Sequence, residues 1–429
     1  MWQSLFVPGP SKRTLLCLVL SLPGCGDDGD SSPPIDASMD AALPPDAPTV
    51  RMGPLVELPL RPPIDPLYPA QHSNEVSIAA FGTRVVATYR NIHKLSADTW
   101  DSDAAPGGGR QVAVAVSEDR GETYALAEPD VADSYFSDPL VRVTPSGKFW
   151  LVRLRVGGSY PCAVHTSTDG VNWIAGEDIP CDDKPWLAVD DSFAWIASHA
   201  GMIQIPADGA APTMTSTIPG NPVGGYADGT AAHMLGLGDR DQTFFGFRVV
   251  EWDALTDPRV EIDNIPGGPD ADSLFTIMST SLGATSDGRT YLVRSTFVDG
   301  RPNAVLFVHE PTGEREVPIS APGAAAFHTA GALDDQGRLH VMWYETSGTT
   351  GVLKYARSTS ATLDGFEPPI IVDANVVPGD GWFPMLRDDS NERLREYVDL
   401  TVDGGRVYLA WTRAVEPPSR VFTTWLEHL

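Results

Sequence analysis

Lysine is scarce in this chain of 429 residues: Lys12, Lys94, Lys148, Lys184 and Lys354 are all there is. With 30 Lys and Arg against 57 Asp and Glu, the formal net charge is −27. Such an acidic chain lacks the basic patches that nucleic acids and anionic lipid surfaces require. Arginine without lysine, beside abundant Ala, Pro and Gly, reads as the mark of a GC-rich genome. Long apolar runs are missing too. The N-terminal stretch Thr14–Leu22 (TLLCLVLSL) spans nine residues, where a membrane-crossing helix needs about 20. No long segment repeats its apolar residues at the 3.6-residue period of a helix, so little helix is expected. HExxH strings, phosphate loops and a Ser-His-Asp order are all absent, which removes the corresponding enzyme classes. Hydrophobic residues still make up 42% of the chain, enough to build a core.

What the first fifty residues do contain is an address. Lys12-Arg13, the apolar run and the string Leu22-Pro23-Gly24-Cys25 read as an export signal. The string resembles a bacterial lipobox, with Pro23 where Ala or Ser is usual. That resemblance implies lipidation of Cys25 and a mature chain beginning there. Residues 1–11 look like an over-long leader, so the natural start is expected further along. Gly26–Pro48 holds six Asp, no basic residue and no aromatic, a composition that cannot bury enough surface to fold. Residues 1–25 are therefore read as a lipoprotein signal, 26–53 as an acidic tether and 54–429 as the folded domain. The expected location is the bacterial envelope, by preference the outer membrane, facing either side.

Cysteine is rare: Cys17 leaves with the signal and Cys25 takes lipid, leaving Cys162 and Cys181. In an exported chain these two are expected to form one disulfide, worth roughly 3 kcal/mol in the chain-entropy account. A zinc site needs more ligands than this pair offers.

From residue 54 onward one pattern recurs. An apolar run meets Asp, Gly or Asn, and a second run rich in Val, Tyr, Trp and Arg follows. The instances are Glu75–Arg90, Asp138–Arg155, Lys184–Ser198, Asp228–Arg248, Phe275–Phe297, Phe327–Tyr344 and Tyr397–Thr412. Each reads as a β-hairpin. Further strand pairs between them make four strands per unit, the blade of a propeller. The fold expected is all-β, a seven-bladed β-propeller, with six blades as the alternative because the unit Asp228–Ile265 is hard to complete. The last unit has room for three strands, and Pro54–Leu60 would supply its fourth and close the ring.

Two turns carry a family resemblance. Ser117-Glu118-Asp119-Arg120-Gly121-Glu122-Thr123-Tyr124 and Ser167-Thr168-Asp169-Gly170-Val171-Asn172-Trp173 resemble the Asp boxes of sialidase-like propellers, the bacterial neuraminidase repeat proteins. In such a turn Asp caps backbone N–H groups and Gly takes positive φ. Ser117, Asp119, Gly121, Tyr124, Ser167, Asp169, Gly170 and Trp173 are therefore read as structural. Asp183–Asp190 and Glu396–Leu400 resemble strands of the same group.

In a propeller, residues opening each innermost strand ring the channel mouth, together with the ends of the second strands. The candidates from strand starts are Glu75, Asp138, Lys184, Trp186, Asp228, His328 and Tyr397. From second-strand ends come Arg90, Arg155, His199, Glu345 and Arg413. Trp100 lies on the longest mouth loop beside Asp98, Asp101 and Asp103, read as solvated acids with a calcium site as the alternative. A sialidase resemblance implies an Arg triad on a carboxylate, a Tyr–Glu nucleophile pair and an Asp acid/base. The family's Arg-Ile-Pro signature is missing; Leu60-Arg61-Pro62-Pro63 stands nearest. Glu396 and Tyr397 are neighbours, which point to opposite faces of a strand. The expected function is thus a binding module, presumed monomeric, that takes a glycan, peptide or protein at its mouth, with an exo-glycosidase as the competing class. No catalytic residue is assigned, no cofactor or metal is expected, and contact with a membrane is expected through the lipid alone. Replacing Cys25 with Ala is expected to release the protein from membrane fractions into the soluble one. Continued membrane association of that variant would refute the anchor.

Overall fold

The computed structural model describes residues 50–63, 67, 71–93, 110–127, 136–155, 160–182, 185–215, 221–237, 246–252, 258–266, 280–298, 301–347, 350–378, 398–414 and 419–429. Among these, every regular element is a strand, and the strands form seven antiparallel sheets. No helix of the described residues is long and apolar enough to cross a membrane. Blade one starts with Gln71–Phe81, blade two with Phe136–Val143 and blade three with Trp186–Val189. Blades four to seven start with Asn221–Ala227, Ser281–Ala284, Ala325–Leu333 and Asp399–Asp403.

Seven apolar clusters join successive blades into a ring. Val86, Val114 and Phe149 fill the joint of blades one and two; Trp150, Ile179 and Trp186 fill the next. The series ends with Tyr89, Tyr408 and Trp425 between blades seven and one. Alternation makes this work: one side of each strand packs towards the blade before and the other towards the blade after. Trp343 and Trp411 are fully buried in such joints, which makes them packing residues rather than sugar platforms.

The ring closes through the N-terminal strand. Val50–Met52 and Val56–Glu57 both pair antiparallel with the last strand, Arg420–His428. Gly53 N and Leu58 N donate to Trp425 O and Val421 O, each at 2.9 Å. Pairing thus begins at Val50, ahead of the Pro54–Leu60 stretch that the sequence suggests. The expected disulfide joins Cys162, opening the third strand of blade two, to Cys181 before blade three, with Cα atoms 5.3 Å apart.

Blade four departs from the sequence reading. Its innermost strand is Asn221–Ala227 (NPVGGYA), and Asp228 lies in the turn after it. A strand of Pro and Gly lacks the β-branched signature, which is why the sequence pattern starts this hairpin at Asp228. Completed to four strands, this blade removes the six-bladed alternative.

Burial sets the acid response. It pulls His93 and His428 down to about 4, the former against a hydrogen bond that its ring donates to Gln111 Oε1 and the latter with help from Arg357. Burial, Arg153 and Arg155 take His165 down to about 3. These rings stay neutral when folded, whereas the unfolded chain takes up protons below a pH of about 6.5. Their contribution to stability is therefore complete above that value and declines as pH falls from about 6.5 towards 4. The melting temperature is expected to drop over that window, and less steeply in His93→Gln. A flat profile from neutrality to about pH 4 would contradict this assignment.

Candidate functional site at the channel mouth

Innermost strands run from the mouth to the opposite face, where the two Ser-x-Asp turns lie. In the first, Ser117 Oγ accepts from Gly121 N at 2.7 Å, while Asp119 Oδ1 accepts from Glu122 N and Thr123 N at 3.1 and 2.9 Å. Burial works against the Asp119 carboxylate, but hydrogen bonds from Thr123, Ser117 and Glu122 prevail and hold it down at about 2. The second turn repeats the pattern, with Ser167 Oγ on Gly170 N and Asp169 Oδ1 on Asn172 N. A Cβ at Gly170 would stand 2.6 Å from Val86 Cγ2, so this turn of blade two also packs on blade one. Tyr124 and Trp173 pack against the inter-blade clusters. Arg120 donates to Gly404 O, in the hairpin turn of blade seven, at 2.8 Å. These contacts lie within the turns or between adjacent blades.

Asp228 belongs to this same face, not to the mouth. Its Oδ1 caps Thr230 N and Ala231 N at 2.8 and 2.9 Å.

At the mouth, a bulge interrupts the innermost strands of blades one, two, four and six. In three of them the bulge holds a non-glycine residue at positive φ: Glu75 at 52°, Asp138 at 44° and His328 at 49°. Each costs about 1–3 kcal/mol of backbone strain, and such bulges re-aim side chains at functional sites. All three are buried, at 2%, 7% and 1% exposure. Glu75 Oε1 pairs with Arg90 at 2.8 Å, both side chains 2% exposed. Its Oε2 accepts from Ser137 Oγ at 3.3 Å and from Asp138 N at 3.4 Å. Glu75 thereby binds the bulge of blade one to that of blade two. His328 stands edge-on to Tyr344 at 6.0 Å, whose hydroxyl donates to Thr412 O of blade seven.

The three arginines take separate partners. Arg90 pairs with Glu75 as above. Arg155 pairs with Asp178 at 2.8 Å and Arg413 with Asp373 at 2.7 Å. Asp178 stands on the fourth strand of Arg155's own blade two, whereas Asp373 stands on the fourth strand of blade six, so Arg413 of blade seven reaches across to the neighbouring blade. Tyr89 and Tyr344 spend their hydroxyls on the backbone carbonyls of Pro59 and Thr412. Glu345 accepts from Trp343 Nε1 at 3.1 Å and from Lys354. Trp186 packs between blades two and three, and His199 lies in the turn between the second and third strands of blade three. Trp100, Lys184, Tyr397, Glu396, Cys25, Asp98, Asp101 and Asp103 fall outside the described residues.

Residues of all seven innermost strands line the channel, a cavity of about 260 Å³. Inside it Asp399 Oδ2 accepts from Arg142 at 2.7 Å, Ser77 Oγ at 2.9 Å and Ile78 N at 3.1 Å. One carboxylate thus ties blade seven to blades one and two. Ser137, Arg153, Arg142 and Asp399 escaped the sequence reading. An alternating Arg-x-Arg at 153 and 155 is the one signal that pointed to any of them.

The sequence matches no family model and no curated protein. Among solved structures, a protein of unknown function from Dyadobacter fermentans aligns over 89% of this chain and 99% of its own, with TM-score 0.52 and 13% identity. An α-L-arabinanase from Penicillium chrysogenum, complexed with arabinobiose, covers 88% of this chain and 98% of its own, with TM-score 0.47 and 11% identity. The first is a likeness of fold alone, and the second, weaker still, supports nothing further.

Removing the channel carboxylate tests its role. Asp399→Ala takes the carboxylate from Arg142, which keeps Ser77 Oγ and Val141 O as acceptors, and removes the bond from Ile78 N, at a cost of about 2 kcal/mol, discounted because the pair is partly exposed. Chemical denaturation should show that loss, with a smaller one for Asp399→Asn. An unchanged midpoint in both variants would refute the clamp.

Proposed function

We propose that the chain is an envelope-anchored propeller that binds a glycan at its channel mouth without cleaving it. The observation that carries this reading is the separate neutralisation of Arg90, Arg155 and Arg413 by Glu75, Asp178 and Asp373. A carboxylate clamp of the sialidase kind needs guanidinium forks converging on one point; here Arg90 and Arg155 pair within their own blades and Arg413 ties blade seven to blade six. The hydroxyls of Tyr89 and Tyr344, tied to the backbone, are not poised as nucleophiles. The lipobox-like Cys25 and the acidic spacer support a tether to the envelope, and the Ser-x-Asp turns support kinship with the sialidase-like propellers.

One observation favours the alternative, an exo-acting glycoside hydrolase. Glu75 and Asp138 occupy equivalent bulges of adjacent blades, and paired carboxyl groups are what glycoside cleavage uses. A glycan array and a panel of fluorogenic glycosides separate the two. The expected result is saturable glycan binding, weakened by Asp138→Ala and by Trp100→Ala on the longest mouth loop, with no leaving group released. Turnover that survives purification and vanishes in Glu75→Gln would overturn the binding reading in favour of the hydrolase.

A further inference from the structure

Away from the mouth, the joint of blades four and five brings three groups of ligating type together, and one of them, Glu251, also pairs with Arg259. His233 on the second strand of blade four lies opposite Tyr226 and Glu251 in register, and the imidazole stacks on the Tyr226 ring at 4.4 Å. Bulges in the outer strand pair, at Val249 and Val250, swing Glu261 towards the same point. His233 Nδ1 lies 2.8 Å from Glu261 Oε2, and one ligand atom each from His233, Glu251 and Glu261 can be chosen all within 4.8 Å of one another. The other oxygen of Glu261 accepts from Thr290 of blade five at 2.8 Å. His233 is 7% exposed, and its buried Nε2 has no hydrogen-bond partner, although Asp228 Oδ2 lies 3.5 Å away.

We propose that His233, Glu251 and Glu261 form a zinc site. One imidazole nitrogen with carboxylate oxygens suits this borderline ion, and three protein ligands leave its fourth position to water. Ligands on tetrahedral zinc stand roughly 3.3 Å apart, close to the spacing of Nδ1 and Glu261 Oε2. The ion takes the place of the proton between those two atoms. Asp228 then has a part that its cap on the turn leaves open. Its free oxygen faces the second ring nitrogen, the carboxylate–histidine–metal arrangement that fixes the tautomer and orientation of a ligating imidazole. The metal would join three strands of blade four and, through Glu261 and Thr290, the edge of blade five. This is independent of the mouth and of what binds there.

The test uses the purified protein stripped with chelator and titrated with Zn²⁺ at about pH 7, where a ligating histidine is free to deprotonate. One saturable equivalent is expected, with a rise in melting temperature that chelator reverses. Glu261→Gln should abolish it, and Asp228→Asn should weaken it by about 10- to 100-fold. The exposed neighbour Glu314 serves as the control: Glu314→Gln should leave the titration unchanged. Should Glu261→Gln fold poorly, Glu251→Gln, which leaves the Glu261 contact with Thr290 in place, gives the same readout. No saturable uptake by the parent protein, or uptake equal to the parent's in both glutamine variants, would overturn the site.

Discussion

A ring of sheets has to meet itself, and here the meeting is made by hydrogen bonds rather than by the order of the chain. The last blade owns three strands, so its outer edge would present unpaired N–H and C=O groups. Val50–Met52 and Val56–Glu57 cover that edge from the other end of the domain. From there the chain passes into blade one, where Ser73 N donates to Ser419 O and Val421 N to Ser73 Oγ. The apolar faces of each blade pack on its neighbours, so without this closure the series would be an open stack with two exposed faces. The channel, the mouth and the joints all assume a closed ring.

Polar groups repeat the apolar scheme at the places where joints meet the axis. Asp399 reaches both blade one and blade two, and Glu75 joins blade one to blade two beside the mouth. Buried ionic groups contribute little net stability but penalise any arrangement that leaves one of them unpaired. The bulges at Glu75, Asp138 and His328 store strain in this frame, and the packed ring holds them in place.

Much of this was legible in the sequence. Six of the seven hairpins, the borrowed outer strand and the disulfide follow from alternation, turn residues and the count of cysteines. Blade four was misread because Asn221–Ala227 offers proline and glycine where strands usually show branched side chains, which moved Asp228 to the wrong face. The mouth was read by position, and position does not tell which charges meet. Arg142 and Asp399 are 257 residues apart, so nothing local couples them. Nor does any motif mark a bulge built on Glu, Asp or His where glycine is the residue of least strain. Arg90, Arg155 and Arg413 were placed at strand ends, but their partners depend on which way each side chain leaves its strand.

Native-state hydrogen exchange of the closing strand tests the account most directly. The amides of Gly53 and Leu58, which donate to Trp425 O and Val421 O, report on closure residue by residue. If closure is what the ring depends on, they exchange only through global unfolding, with the same free energy and denaturant dependence as buried amides of the innermost strands. Exchange of Gly53 and Leu58 through a local opening, well below the global free energy and with the other blades still protected, would contradict it.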